Sequence, residues 1–218
     1  MQNYKKNLEL LTKNHVYSNE MEHDACGVGL IASTEGKKSR IVVEYGIQAL
    51  KAVWHRGAVD ADGKTGDGAG IHLEIPKDFF IEKIQITGHD YDNSEICVGM
   101  IFLPRNDYSS QESCKTIVES ELTKSDFSIY GWRQVPVNPK VLGEKAFQTM
   151  PEIIQVLFKS NDPNLLDKDL ERKIYETRKK IENRALNLSL NNFYVCSISS
   201  KSIIYKGMFL AEAISDFF

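Results

Sequence analysis

The stretch His55-Arg56-Gly57-Ala58-Val59-Asp60-Ala61-Asp62-Gly63-Lys64-Thr65-Gly66-Asp67-Gly68-Ala69-Gly70-Ile71 decides how the rest of the sequence is read. It is dense in glycine, carries Asp60, Asp62 and Asp67, and is too long for a plain connector. Two readings stand side by side: a flexible solvated turn, or a substrate-enclosing loop in which Gly66, Gly68 and Gly70 free the backbone to approach a small polar ligand. Phosphate is a poor fit. The stretch matches neither G-x-x-x-x-G-K-[ST] nor a G-x-G-x-x-G set between a strand and a helix, and its aspartates repel anions. It also lacks the twelve-residue calcium pattern that ends in Glu. On its N-terminal side Val43, Ile47, Leu50 and Trp54 recur at helical spacing, which predicts an amphipathic helix stopping near Gly57. Arg56 then sits at a helix end. It either caps the last carbonyls or grips a carboxylate with both arms of its planar guanidinium, as an amino-acid substrate would require.

Further upstream, Cys26-Gly27-Val28-Gly29-Leu30-Ile31-Ala32 is small and apolar and is expected to form a buried strand, followed by the polar turn segment 33–40. Cys26 is either a small buried hydrophobe or a nucleophile, with Gly27 and Gly29 leaving room for a ligand. The polar His23-Asp24-Ala25 before it marks an exposed junction open to cleavage. Cleavage would change the chemistry. A terminal cysteine carries an α-amine of pKa about 7.7–8.0, which can take the thiol proton itself. While Ala25 remains attached, that nitrogen is an amide without basicity. Residues 1–25 are polar, with one short helix expected from Tyr4 to Lys13.

Downstream, Ile71–Ile75 alternates as a half-buried strand does, and Ile96–Leu103 is a continuous apolar run that fits a strand covered on both faces. Helices are expected over 111–122 and 167–186, the latter with Leu170, Ile174 and Ile181 on one face. Strands are expected over 127–137, with Trp132 inside, and over 193–199 and 202–205, joined by a short turn at Ser200-Lys201. Strands cluster between helices, which favours layered α+β over a doubly wound parallel sheet. The last segment, 205–218, starts a helix and stops on Phe217-Phe218; aromatics exposed there would mean a chain cut inside a domain.

The composition narrows the function. At 42% hydrophobic and 26% charged, the 218 residues can bury a core. A net charge of −3 gives no electrostatic case for nucleic acid or an anionic membrane. No apolar run is long enough to span a bilayer or to act as a secretory signal. Cys97, Cys114 and Cys196 are too far apart for a C-x-x-C zinc pair and read as core or surface thiols, which together with the absent signal points to the cytoplasm.

Cys26-Gly27-Val28-Gly29-Leu30, Gly46-Ile47 through Leu50, the run His55 to Ile71 and Tyr205-Lys206-Gly207-Met208 together resemble the class II glutamine amidotransferase domain of the glutamate synthase large subunit. The long run is the most specific part, since related amidotransferases have a shorter segment there. The resemblance implies an α+β fold, the four-layer αββα sandwich of N-terminal nucleophile hydrolases, incomplete at its C-terminal end. It implies that residues 1–25 are a propeptide and that 26–218 are the N-terminal part of the amidotransferase domain. Cys26 would then be the catalytic nucleophile that releases ammonia from L-glutamine. Arg56 would hold the substrate α-carboxylate, and Asp67 and Gly68 would complete the substrate-binding set. No metal and no cofactor is expected in this chain. FMN and an iron–sulfur cluster belong to the full-length enzyme, whose ammonia goes to 2-oxoglutarate. The implied partners are the remainder of the large subunit and a small NADPH-oxidising subunit or ferredoxin. The family's Asn-Gly oxyanion-hole block lies beyond Phe218, so the chain alone is expected to turn over little glutamine. The competing readings are a non-catalytic interaction half and a class II amidotransferase with another acceptor.

Overall fold

The computed structural model describes residues 2–14, 26–53 and 57–218. In chain order the elements are α1 (Gln2–Asn14), α2 (Arg40–Ala52), β1 (Ala69–Glu74), α3 (Lys77–Ile86), β2 (Cys97–Leu103), α4 (Tyr108–Lys124), β3 (Phe127–Gln134), α5 (Glu144–Thr149), β4 (Glu152–Ser160), α6 (Asp167–Asn187), β5 (Tyr194–Ser199), β6 (Ser202–Gly207) and α7 (Ile214–Phe217).

An antiparallel sheet of order β3-β4-β2-β5 forms the centre. Its strands alternate between two cores, because successive side chains point to opposite faces. In β2, Cys97, Ile101 and Leu103 join α4 and α6 in one core, which also holds Cys114, Ile117, Val118 and Leu122 from α4 and Leu170, Ile174, Ile181 and Ala185 from α6. Val98 and Met100 face the other way, toward Phe80 and Ile84 of α3, Ile203 of β6 and the C-terminal Phe209 and Phe217. This double coverage explains why 96–103 reads as unbroken apolar sequence. A bulge between Ile129 and Gly131 re-phases β3, so that both Ile129 and Trp132 pack on the helix side.

The second sheet is the antiparallel pair β1–β6. Residues 193–205 form two strands with a short turn at Ser200-Lys201, as expected, but these do not pair with each other: β5 completes the first sheet and β6 belongs to the second. The outer edge of β6 leans on β5 through side chains. The Ile204 N–H donates to Ser197 Oγ at 3.2 Å, and the Cys196 thiol donates to the Ile204 carbonyl. Helix α2 packs against β1 at Gly46, where a Cβ would stand 3.4 Å from Ile71 Cδ1. Helices, sheet, sheet and helix therefore follow the αββα order, and the fold is α+β.

Four expectations are corrected. Residues 26–32 form no strand; Val28 is 91% and Leu30 89% exposed, because no strand among the described residues offers this segment a ladder. Helix α2 stops at Ala52, capped by Val53, short of Gly57. The C-terminal aromatics are not left in solvent: Phe217 is buried, and Phe218 packs edge-on against Tyr205 and Phe217. The flexible-turn reading of the glycine-rich loop 57–70 is narrowed: residues 61–64 are solvated, but a bridge between Val59 and Gly66 closes the run around them. No helix among the described residues is long and apolar enough to cross a membrane.

Candidate active site

The glycine-rich run folds into a tight knot. Val59 and Gly66 pair antiparallel, and inside that bridge the Asp60 amide donates to the Thr65 carbonyl at 2.9 Å. Asp62 organises the interior. Its Oδ1 accepts from the amides of Lys64 (2.9 Å) and Thr65 (2.7 Å), and its Oδ2 accepts from Thr65 Oγ1 at 2.5 Å. The Thr65 hydroxyl and amide, with the Lys64 amide behind them, hold the Asp62 carboxyl well below the ordinary carboxylate range. Asp60 is held low by Lys145, whose Nζ lies 2.8 Å from its Oδ2, and by the Ala61 amide. Thus two of the three aspartates are consumed in local structure.

Gly66 is a packing residue. A Cβ there would lie 2.9 Å from the Phe209 carbonyl oxygen, so the loop can close over the C-terminal segment only with glycine at this position. Beyond Gly66 the chain opens to solvent. Asp67 and Gly68 are exposed, and Gly68 has φ +132, a conformation that side chains rarely adopt. Both line a groove of about 1250 Å³, and so do Gly70 and His72 of β1.

The groove runs between the β1–β6 pair, the end of β2 and helix α5. Its floor is apolar, with Phe102, Ile153, Phe209 and Phe217. Its rim carries two cations that meet no carboxylate among the described residues. Arg105 donates to the Phe147 carbonyl at 3.3 Å and lies 4.7 Å over the Phe147 ring. Lys206 donates to the Tyr194 hydroxyl at 2.7 Å, with its Nζ 4.5 Å from that ring. An apolar floor with a few fixed polar groups suits a small polar metabolite or a peptide segment.

The four expected site residues are not all brought together. Asp67 and Gly68 share the groove wall. Cys26 is exposed, at the head of the irregular segment 26–32, and is not among the groove-lining residues. Arg56 lies outside the described residues, as do Trp54, His55 and the junction 23–25. Cys97, Cys114 and Cys196 are buried core thiols, in line with their sequence context. Among the described residues no three His, Cys, Asp or Glu side chains converge in a way that would hold a metal ion. No sequence pattern marks Arg105 or Lys145, and Lys206 enters the sequence reading only within Tyr205-Lys206-Gly207-Met208, with no role assigned. They lie in ordinary polar segments and acquire meaning only through contacts made across the fold.

The comparisons with known proteins agree with one another. The class-II glutamine amidotransferase family matches residues 26–218, so the match opens at Cys26. The chain is 50% identical over 215 residues to the glutamate synthase [NADPH] large chain of Azospirillum brasilense, covering 99% of this chain and 14% of that protein. It is 40% identical over 199 residues to ferredoxin-dependent glutamate synthase 1, chloroplastic/mitochondrial, of Arabidopsis thaliana, covering 90% of this chain and 12% of the relative. With the ferredoxin-dependent glutamate synthase of Pyropia yezoensis it shares 37% identity over 214 residues, or 96% of this chain and 14% of the relative. The chain therefore spans 12–14% of the length of these proteins. With the family matched over nearly its whole length and the α+β fold in place, this chain belongs to the class-II glutamine amidotransferases and is homologous to the glutaminase module of glutamate synthase large chains.

Proposed function

We propose that the chain supplies the glutaminase chemistry of a glutamate synthase, with Cys26 as nucleophile. The observation that carries this is the placement of Cys26: the family match begins at this residue, and its thiol is exposed. In this reading residues 1–25 are removed as a propeptide, and the freed α-amine takes the thiol proton. Sulfur adds to the side-chain amide carbon of glutamine. The C–N bond breaks, ammonia leaves with a proton from the ammonium group, and a glutamyl thioester remains. Water then attacks the thioester, releases glutamate and restores the thiol. Arg56 binds the substrate α-carboxylate, and Asp67 and Gly68 contact the substrate from the groove wall. The ammonia passes to 2-oxoglutarate in the remainder of the large subunit. FMN and the iron–sulfur cluster reside there, and electrons come from a small NADPH-oxidising subunit or from ferredoxin. The compartment is the cytoplasm.

The test compares the complete large-subunit polypeptide with its Cys26→Ala and Cys26→Ser variants, since the chain to Phe218 alone is expected to turn over little glutamine. Ammonia and glutamate are assayed after incubation with glutamine, and intact mass is used to follow the loss of residues 1–25 and a glutamyl adduct. Both variants should lose hydrolysis and the adduct. Wild-type turnover by either variant removes Cys26 from the reaction. A specific observation favours a second reading, that of an interaction half. Cys26 stands apart from the groove, so a chain that binds a complementary segment there without hydrolysing glutamine fits the same geometry.

A further inference from the structure

Helix α5 begins at Gly143, a residue with no side chain to cap the helix, and Gly143 makes no side-chain cap bond. Helix starts ordinarily recruit Ser, Thr, Asp or Asn at this position to accept from the free amides. Here the acceptor comes from about eighty residues earlier in the chain: the Ala146 amide points at Thr65 Oγ1, 3.4 Å away. Next to it, the Lys145 side chain is paired with Asp60 at 2.8 Å. A Cβ on residue 143 would run into Asp62 Oδ2 and Thr65 Oγ1. Any residue able to cap α5 from within would therefore collide with the knot that caps it from outside. Thr65 is 2% exposed, so this contact is sealed from water.

The contact joins the two sides of the groove. The knot runs directly into Asp67 and Gly68, and α5 contributes Ala146, Gln148 and Thr149 to the facing wall. From this geometry we infer that Asp62 and Thr65 are positioning residues, forming with Gly143 a latch that fixes where Asp67 and Gly68 stand relative to the opposite wall. The inference rests on the glutaminase reading for its ligand, and on the latch contacts alone for its mechanics. Thr65 has both roles a hydroxyl can play: it donates to Asp62 and accepts from α5. Serine preserves both, whereas valine keeps the shape and loses both.

The experiment follows amide hydrogen exchange across 66–70 in the 218-residue chain, for wild type, Thr65→Val, Thr65→Ser and Gly143→Ala, with and without glutamine. Amides of β2 and β4 serve as the internal control. Thr65→Val and Gly143→Ala should speed exchange at 66–70 by about tenfold, as expected for opening a sealed hydrogen-bonded contact. Exchange in β2 and β4 should not change, and Thr65→Ser should match wild type. Glutamine should slow exchange at 66–70 in wild type and Thr65→Ser, and protect the valine variant only at higher concentration. Wild-type exchange at 66–70 in both disrupted variants overturns the latch, and so does an acceleration shared equally by β2 and β4. If the variants speed exchange as stated but glutamine protects nothing in wild type, the latch stands and the glutamine reading of the groove fails.

Discussion

Gln155 and Tyr205 join the two sheets. The Gln155 side chain, fully buried in β4, donates from Nε2 to the Tyr205 hydroxyl of β6 at 3.3 Å, and its Oε1 accepts from the Arg133 guanidinium at 2.8 Å. Arg133 has no carboxylate partner among the described residues. It lies 5.0 Å over the Phe79 ring, and burial presses its pKa down. The predicted consequence is asymmetric. Tyr205→Phe strands a buried amide N–H and should cost about 1–3 kcal/mol. Gln155→Met with Tyr205→Phe should cost less than the sum of the two single changes, since the amide N–H that Tyr205→Phe strands is gone in the double variant, while the loss of the Arg133 acceptor is common to both Gln155 variants. Urea unfolding of the four proteins measures this; strict additivity would mean that the bond contributes nothing.

The four thiols should separate cleanly by reactivity. Cys26 is exposed, and the other three are buried. Burial pushes Cys114 and Cys196 up to about 11 and raises Cys97 further, so their thiolate fraction near neutral pH is negligible. A chromogenic disulfide reagent at mildly alkaline pH should therefore modify one thiol per native chain rapidly, and all four in denaturant. Cys26→Ala should remove the fast phase and leave stability within about 0.5 kcal/mol, as for other exposed positions. A fast phase that survives this substitution would mean that β2, β5 or α4, which carry the buried thiols, opens readily.

Much of the architecture is legible in the sequence because local pattern and tertiary environment agree. Ile96–Leu103 is apolar throughout and is covered on both faces; Leu170, Ile174 and Ile181 share one helix face and fill one core. The misreadings share a cause, namely dependence on partners distant in sequence. Cys26–Ala32 has strand composition but no strand to pair with among the described residues, and Ser200-Lys201 looks like a hairpin turn because nothing local reveals that β6 pairs with β1. In the site, the glycines and aspartates of 57–70 stand out as a group. Their division of labour does not: Asp60 and Asp62 go to the knot, while Asp67 is left for the groove, and this depends on Lys145 and Gly143, about eighty residues away. The Arg56 role rests on its planar guanidinium and on the resemblance, since the residue lies outside the described ones.

Acid should weaken the fold through a small set of carboxylates. Asp107 caps α4. Its Oδ2 accepts from the Ser110 hydroxyl at 2.6 Å and its Oδ1 from the Ser110 amide at 3.0 Å, and these two bonds hold its pKa below the usual value. Asp60, Asp62 and Asp92 are lowered in the same direction, Asp92 chiefly by Lys159. A depressed folded-state pKa contributes stability that is fully present above the unfolded value, about 3.9 for Asp, and is lost as pH falls through the folded value. Stability should therefore be flat in carboxylate terms from neutral pH down to about pH 5 and fall below about pH 4. Asp107→Ala should destabilise the fold near neutral pH and progressively less at lower pH, as the wild-type cap is itself protonated. A cost independent of pH down to about pH 2 would assign the effect to packing rather than to the charged cap.

Glu171 secures the crossing from one sheet to the other. From α6 its carboxylate accepts from the Ser199 hydroxyl (2.9 Å), the Ser200 amide (2.7 Å) and the Ser200 hydroxyl (2.7 Å). Ser199 ends β5 and Ser200 opens the turn that carries the chain into β6, and Ser200 is 2% exposed. Because β6 belongs to a different sheet from β5, no ladder fixes the direction in which the chain leaves that turn; the carboxylate does. Glu171→Ala leaves a buried amide and a buried hydroxyl without an acceptor and should cost about 2–3 kcal/mol. Glu171→Gln keeps one acceptor oxygen and should cost roughly half as much. Amide exchange should rise first in β6 and β1, whose pairing depends on the turn, while β2 and β4 remain protected. If the two sheets instead lose protection together, the turn is held by the surrounding core, and Glu171 merely decorates it.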